Sequence, residues 1–136
     1  AIAATAIGAI RGSIDVTIAY VKERQAFGQP ISQFQNTRFV LAQAKIEEQA
    51  TAAFYHQNVE LYMQGKLDVE TAAALKSFAT DMQMKIADKL LQLFGGYGYM
   101  TEYPISRFFV DARIQRIYGG TNEIMKEIVA RSLLGR

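Results

Sequence analysis

Chemistry in this chain has to come from a short list of residue types. Its 136 residues include no cysteine and one histidine, His56, which excludes disulfides, a thiolate nucleophile, cysteine metal sites and a histidine cluster. His56 lies mid-helix with no second histidine or carboxylate motif at metal-ligand spacing, so no metal is expected. What is left is glycine-rich backbone and arginine. In RIYGGTNEI, residues 116–124, an aromatic ring and two adjacent glycines precede a helix start, where free backbone amides can receive an anion. Glu123 in the first turn argues against a bare phosphate there. GGYG, residues 95–98, either bares the backbone for a ligand or makes a plain turn. It follows a helix, is not G-x-G-x-x-G and carries no Lys-Ser/Thr pair, so Rossmann and P-loop readings fail. Arg107, Arg113 and Arg116 could receive an anionic ligand or form a solvated face, since Asp111 is interleaved. Arg24 and Phe27, in ERQAFG, offer a fixed charge and a ring suited to phosphate and adenine. Helix capping and loop packing explain that pair equally well.

A helical frame has to position these segments. Apolar residues at Ala3, Ile7, Ile10, Ile14, Ile18 and Val21 step by three or four, the stripe of a first helix running to about Glu23. QAFGQPIS then breaks the pattern, because Gly28 is flexible and Pro30 lacks an amide hydrogen and restricts Gln29, so a loop is expected. Ser32 to Gln35 matches a capping box, which starts helix two near Gln33. Its stripe reads Phe39, Ala42, Ile46, Ala50, Ala53 and Leu61, and Gly65 suits a left-handed C-terminal cap. Roughly 30 residues at about 1.5 Å each make it about 45 Å long. Asp68 serves as N-cap of helix three, and the short connection predicts that helices two and three pack antiparallel. Helix three has the cleanest stripe: Ala72, Leu75, Ala79, Met82, Ile86, Leu90 and Leu93. GGYGYMTEYP stops it, and ISRFFVDARIQRIY beyond is expected to be partly helical. Thr121 caps a last helix from about Asn122 to Leu134, with Glu123 and Arg131 favourable to its dipole and Gly135 at its end.

Long helices, short connections and no segment of strand period predict an all-α fold. One domain is expected over residues 1–136, an up-down-up-down four-helix bundle with an additional short helix. Half of the residues are apolar and the formal net charge is +2, so composition suggests neither nucleic-acid binding nor disorder. Arg11 and Asp15 interrupt the apolar opening before the ~20 residues a membrane span needs, and none is expected. A chain that begins with Ala inside a helical pattern reads as a piece of something longer.

Three blocks, VKERQAFGQPISQFQ, LQLFGGYGYMTEYPISRFFVDAR and IYGGTNEIMKEIVARSLLGR, closely resemble, in order and spacing, the C-terminal α-helical domain of acyl-CoA dehydrogenases. The resemblance covers essentially the whole chain. It implies FAD-dependent oxidoreductases of fatty acid metabolism that turn acyl-CoA thioesters into 2,3-enoyl-CoA and pass electrons to electron-transfer flavoprotein. Such enzymes are typically tetramers of chains that also carry an N-terminal helical and a middle β domain. Their location is cytoplasmic in bacteria and the mitochondrial matrix in eukaryotes. By the resemblance, Arg24, Gln25 and Ala26, with Phe27, match the segment touching the FAD of a neighbouring subunit, and Phe34 and Gln35 match another dinucleotide contact. Gln92, Leu93, Phe94, Gly95 and Gly96 match the glycine turn beside the FAD adenosine and pyrophosphate. Thr121, Asn122 and Glu123 match a further FAD contact, while Tyr118 and Gly120 are candidate substrate-pocket contacts.

One departure stands out. Many members read Tyr-Glu-Gly-Thr with the glutamate as the base that removes the α proton, whereas this chain reads Tyr118-Gly119-Gly120-Thr121. Glycine accepts no proton, so Gly119 is not the base. Long-chain and isovaleryl-type members also have glycine there and use a glutamate at the start of the first helix, which the alignment on ERQAFG puts about three residues before Ala1. No catalytic residue is therefore assigned within the chain. Glu102 and Glu127 are in-chain substitutes, each also readable as an ordinary exposed carboxylate. A flavin-dependent oxidase on the same scaffold and a non-catalytic helical oligomerisation module are the competing readings.

Overall fold

Stripes of alanine and β-branched residues at helical spacing drive long helices to share one core, and the computed structural model, which describes residues 1–135, shows five of them. They are α1 (Ile2–Glu23), α2 (Gln35–Met63), α3 (Val69–Gln92), α4 (Pro104–Gln115) and α5 (Asn122–Leu134). Two short strands, β1 (Gln25–Ala26) and β2 (Gln29–Pro30), form a hairpin after α1, and 3-10 turns occupy Ile31–Gln33 and Gly95–Tyr99. The expected all-α class is what the structure has.

Contacts fix the directions. Arg11 on α1 pairs with Glu48 on α2, while Ala3 and Ala6 pack with Leu75 and Ala79 of α3 and with Phe54 and Tyr55 of α2. Tyr20, near the end of α1, stacks on Phe94 just past α3. Hence α2 runs against α1 and α3 runs with it. Tyr103 meets Phe94, Arg116 reaches Asp81, Asn122 reaches Thr80, and Ser132 hydrogen-bonds Glu70. As numbers rise through α4 and α5, their partners on α3 fall, so these two helices stand in line as one column antiparallel to α3. The additional short helix is the first half of a fourth column broken at the two glycines.

Local signals in the sequence are met closely at three junctions. Gly65, at φ 68°, ends α2 with Lys66 N–H donating to Leu61 O and Gly65 N–H to Tyr62 O, a Schellman motif. Asp68 Oδ1 accepts from Thr71 N–H at 2.6 Å, and that bond holds its carboxyl below the usual carboxylate range. Thr121 Oγ1 accepts from Ile124 N–H and caps α5. By length and composition α1 could cross a membrane, but Ile7, Ile10, Ile14 and Val21 are buried within the chain.

Helix two corrects the reading in two ways. Ser32 does not cap it: the serine sits inside a 3-10 turn, Phe34 is extended, and α2 starts at Gln35 with no side-chain cap. Its apolar stripe faces outward, with Phe39 and Ile46 exposed along with Ala42, Ala50 and Ala53. The inner face is Thr37, Ala44, Glu48, Thr51, Ala52 and Asn58. Small side chains there let the helices approach, and several of the polar atoms find partners nearby, whereas Asn58 Oδ1 is buried without one. Thr51 Oγ1 donates to Glu47 O and Asn58 Nδ2 to Phe54 O. Helix three departs at one stripe position, Ala72, which is exposed, and the loop expected after α1 is an ordered two-residue hairpin.

Glu48 is almost fully buried and accepts from Arg11 Nε and Lys45 Nζ, both at 2.7 Å. Burial alone would raise its carboxyl, but the hydrogen bonds and charges of Lys45 and Arg11 outweigh it and hold the group below its ordinary value of 4.5. Because the folded carboxyl titrates lower than the unfolded one, its stabilisation is present above that value and is lost as the pH falls through the folded one. We expect Glu48→Gln to lower the unfolding free energy by about 1–3 kcal/mol at neutral pH. In urea titrations the gap between variant and parent should close on acidification below pH 4.5.

Candidate functional site

Two clusters emerge. The first lies where α1 and α3 end together. Phe94 stacks on Tyr20 with ring centroids 4.1 Å apart, and the Tyr103 ring stands nearly perpendicular to both. Tyr97 lies 5.0 Å from Tyr103, and the Arg24 guanidinium lies 5.3 Å over the Tyr97 ring. Burial raises the pKa of the Tyr20 hydroxyl, which donates to Phe94 O. Arg24, Gln92, Leu93, Phe94, Gly95 and Gly96 thereby line one groove of about 570 Å³. Gln25, Ala26 and Phe27 continue from Arg24 into the hairpin, whose turn is Phe27 and Gly28 at φ 53° and 81°. Both central residues of the turn are left-handed, the arrangement a two-residue hairpin favours, although phenylalanine adopts it at a cost. The Phe27 ring is 96% exposed and meets the Phe34 ring at a near-right angle. Gln35 is exposed at the start of α2.

The glycines of this edge serve different ends. A Cβ on Gly98 would come 2.7 Å from Leu91 O, so the turn could not close on α3. Gly95 sits at φ 57°, where a side chain is strained. Gly96 meets neither constraint, with no atom within 4 Å of a Cβ built there. Its bareness is not required by the fold.

The second cluster is the break in the fourth column. Gly119 and Gly120 take φ 64° and 91°, and the side chains of Ile2 and Met125 occupy the space that Cβ atoms there would enter. Lys76 on α3, buried, donates from Nζ to Gly120 O at 2.7 Å and to Asn122 Oδ1 at 2.8 Å. Asn122 Nδ2 donates to Thr80 Oγ1 and Asp81 Oδ1, and its backbone N–H donates to Arg116 O. Asn122 therefore spends its polar groups inside the chain. Tyr118 and Glu123 are exposed, and Thr121 is half-buried. The amide of Glu123 itself and the Thr121 side chain help to hold the Glu123 carboxyl below its ordinary range. An apolar pocket of about 640 Å³ opens beside the break, lined by Ile2, Tyr55, Val59, Tyr62, Leu75 and Lys76 among others.

The sequence-derived site residues thus fall into two groups, marked by Thr80 on α3 and Phe94 just past its end, about 20 Å apart along the helix direction. The three arginines do not converge: Arg107 donates to Thr101 O, Arg116 pairs with Asp81, and Arg113 is exposed. Glu127 is tied to Arg131, and Glu102 is exposed in the loop before α4. Sequence reasoning missed Lys76, Tyr20 and Ile2. The one signal for Lys76 was a lysine next to Leu75 of the apolar stripe of α3, on a buried side that also carries Ser77, Thr80 and Gln83.

The glycine geometry predicts a graded series in unfolding experiments. Gly98→Ala should cost about 2–3 kcal/mol, because a backbone carbonyl has to move, and Gly95→Ala about 1 kcal/mol from its backbone conformation. Gly96→Ala should change stability by less than about 0.5 kcal/mol.

Comparison with known proteins agrees with this frame. The family model described as acyl-CoA dehydrogenase, C-terminal domain, matches residues 1–134. The mitochondrial long-chain specific acyl-CoA dehydrogenase of Mus musculus is 43% identical over 133 residues, 98% of this chain and 31% of that protein. An acyl-CoA dehydrogenase from Geobacillus kaustophilus superposes with a TM-score of 0.93 at 40% identity, over 98% of this chain and 35% of that one. The FAD complex of PigA does so with a TM-score of 0.88 at 28% identity, over 98% and 35% of the two chains. This chain spans about a third of the length of the curated relatives it matches. The family match and the superposed structures each cover nearly the whole chain, and the chain belongs to the acyl-CoA dehydrogenase family as its C-terminal helical domain.

Proposed function

We propose that this domain works within an FAD-dependent acyl-CoA dehydrogenase that oxidises acyl-CoA thioesters to 2,3-enoyl-CoA, with electron-transfer flavoprotein as acceptor and a tetramer as the working assembly. The observation that carries the reading is the convergence of Arg24 with Gln92, Leu93, Phe94, Gly95 and Gly96 in one groove. There a guanidinium, aromatic faces and the bare Gly96 backbone fit the phosphates and adenine of a dinucleotide. FAD, when bound, supplies the acceptor for the hydrogen leaving the β carbon.

The chain's own residues hold and orient. Arg24, Gln25, Ala26, Phe27, Phe34 and Gln35 form one exposed cofactor edge, and its distance from Thr121 and Glu123 suits contact with two different cofactor copies in an oligomer. Tyr118 and Gly120 face the acyl thioester, beside an apolar pocket of a size an acyl chain can use. Asn122 acts from within, by holding the start of α5. The base is a glutamate about three residues before Ala1. A residue there lies four positions before Ile2, on the same face of the helix, and Ile2 is the side chain that fills the space beside Gly119.

The full-length parent, purified with its flavin, should reduce an artificial acceptor on addition of acyl-CoA and react slowly with oxygen. A parent that neither bound FAD nor reduced the acceptor would sink the reading, and fast oxygen reduction would make it an oxidase. Gly96→Ala should weaken FAD at least tenfold with stability unchanged. The 136-residue chain alone should bind FAD poorly and oxidise nothing, as a spectral titration would show.

A further inference from the structure

Lys76 has no role in the reading above, yet it is a lysine buried on α3. Its side chain is 7% exposed, and burial pushes its pKa down. Among the described residues it forms no ion pair: its two acceptors are Gly120 O and Asn122 Oδ1. The carboxylates of Asp81 and Glu123 act on it only at longer range and do not offset burial, so an apolar side chain of the same length would pack there at lower cost. Both of its bonds go to the break, one to the Gly120 carbonyl and one to Asn122 Oδ1, where Gly119 and Gly120 lack side chains and take left-handed φ.

That bond has a directional consequence. A trans peptide sets its C=O and N–H on opposite sides. With Gly120 O drawn toward α3 by Lys76, the N–H of Thr121 points away from α3, toward the outer side of the break. Asn122, whose Nδ2 is held by Thr80 and Asp81, fixes the amine from the other flank, and Arg116 on Asp81 steadies that carboxylate.

We infer that Lys76 is a positioning residue: by pinning the Gly120 carbonyl it aims the Thr121 N–H outward as a fixed donor to an oxygen of the bound ligand, a thioester carbonyl or a cofactor oxygen. The inference rests on the dehydrogenase reading for which ligand arrives, but the clamp itself does not.

The test uses the full-length flavin-loaded protein carrying Lys76→Met, read by amide hydrogen exchange and by steady-state kinetics. Exchange in the segment 116–124 should rise at least tenfold while segments on α1 and α2 keep the parent's rates, and kcat with acyl-CoA should fall at least tenfold with flavin retained. Lys76→Arg, which keeps charge and donors, should recover part of kcat. Unchanged exchange at 116–124, or exchange raised throughout the domain, overturns the proposal. So does loosened exchange with undiminished kcat. Should Lys76→Met not fold, Lys76→Gln is read by the same criteria, and failure of both to fold assigns the lysine to stability alone. The exchange measurement needs no substrate, so an inactive parent with an intact local clamp counts against the assigned reaction and not against Lys76.

Discussion

A helix that stops and restarts opposite a continuous one leaves carbonyls on one side of the gap and amides on the other without partners. Here the gap falls between Gln115 and Asn122, and α3 meets it with four polar residues within two turns, Lys76, Ser77, Thr80 and Asp81. Asn122 is the piece that fits between them. It touches three of those residues through its amide nitrogen and the fourth through its oxygen, while its backbone N–H closes onto Arg116 O across the gap. Because α3 gives one face to this task, its buried apolar side chains are three alanines, Ala73, Ala79 and Ala87, with Leu75, Ile86 and Leu90. The core shifts accordingly toward α1, which buries isoleucine at three successive stripe positions, Ile7, Ile10 and Ile14.

The sequence was most legible where a residue acts on its own neighbourhood. Gly65, Asp68 and Thr121 each needed only the next few residues, and each sits as its type suggests. The capping box at Ser32 failed because the hairpin delivers the chain to residue 31 in a turn, so the serine never reaches the boundary of the helix. Helix two misled for a subtler reason. Its buried residues carry threonine, glutamate and asparagine, while Phe39 and Ile46 lie outside, so apolarity marked the wrong face. Only the fold reveals that Glu48 has Arg11 to receive it, a contact between residues far apart in sequence.

At the site the glycines were legible as a group and not as individuals. Composition offered two readings of GGYG, a turn or a surface for a ligand, and the backbone distributes both among neighbours. Gly98 is packed onto α3 and Gly95 bends the chain, whereas Gly96 stays open. The hairpin shows the same division of labour, with Gly28 relieving the turn and Phe27 accepting an unfavourable conformation that holds its ring in solvent. Lys76 stayed hidden because its partner is a backbone carbonyl more than forty residues away, for which side-chain patterns give no sign.

The inner face of α2 has one more property. Thr37, Ala44, Thr51 and Asn58 recur at seven-residue spacing, with Glu48 between. A straight α-helix drifts by about 20° per seven residues against such a repeat, so over these three intervals the seam stays on its neighbours only if α2 coils left-handedly, by about 60° in all. The outer face turns with it. Phe39 and Ile46 therefore belong to a helical ribbon, and whatever surface meets them has to follow the same hand and pitch.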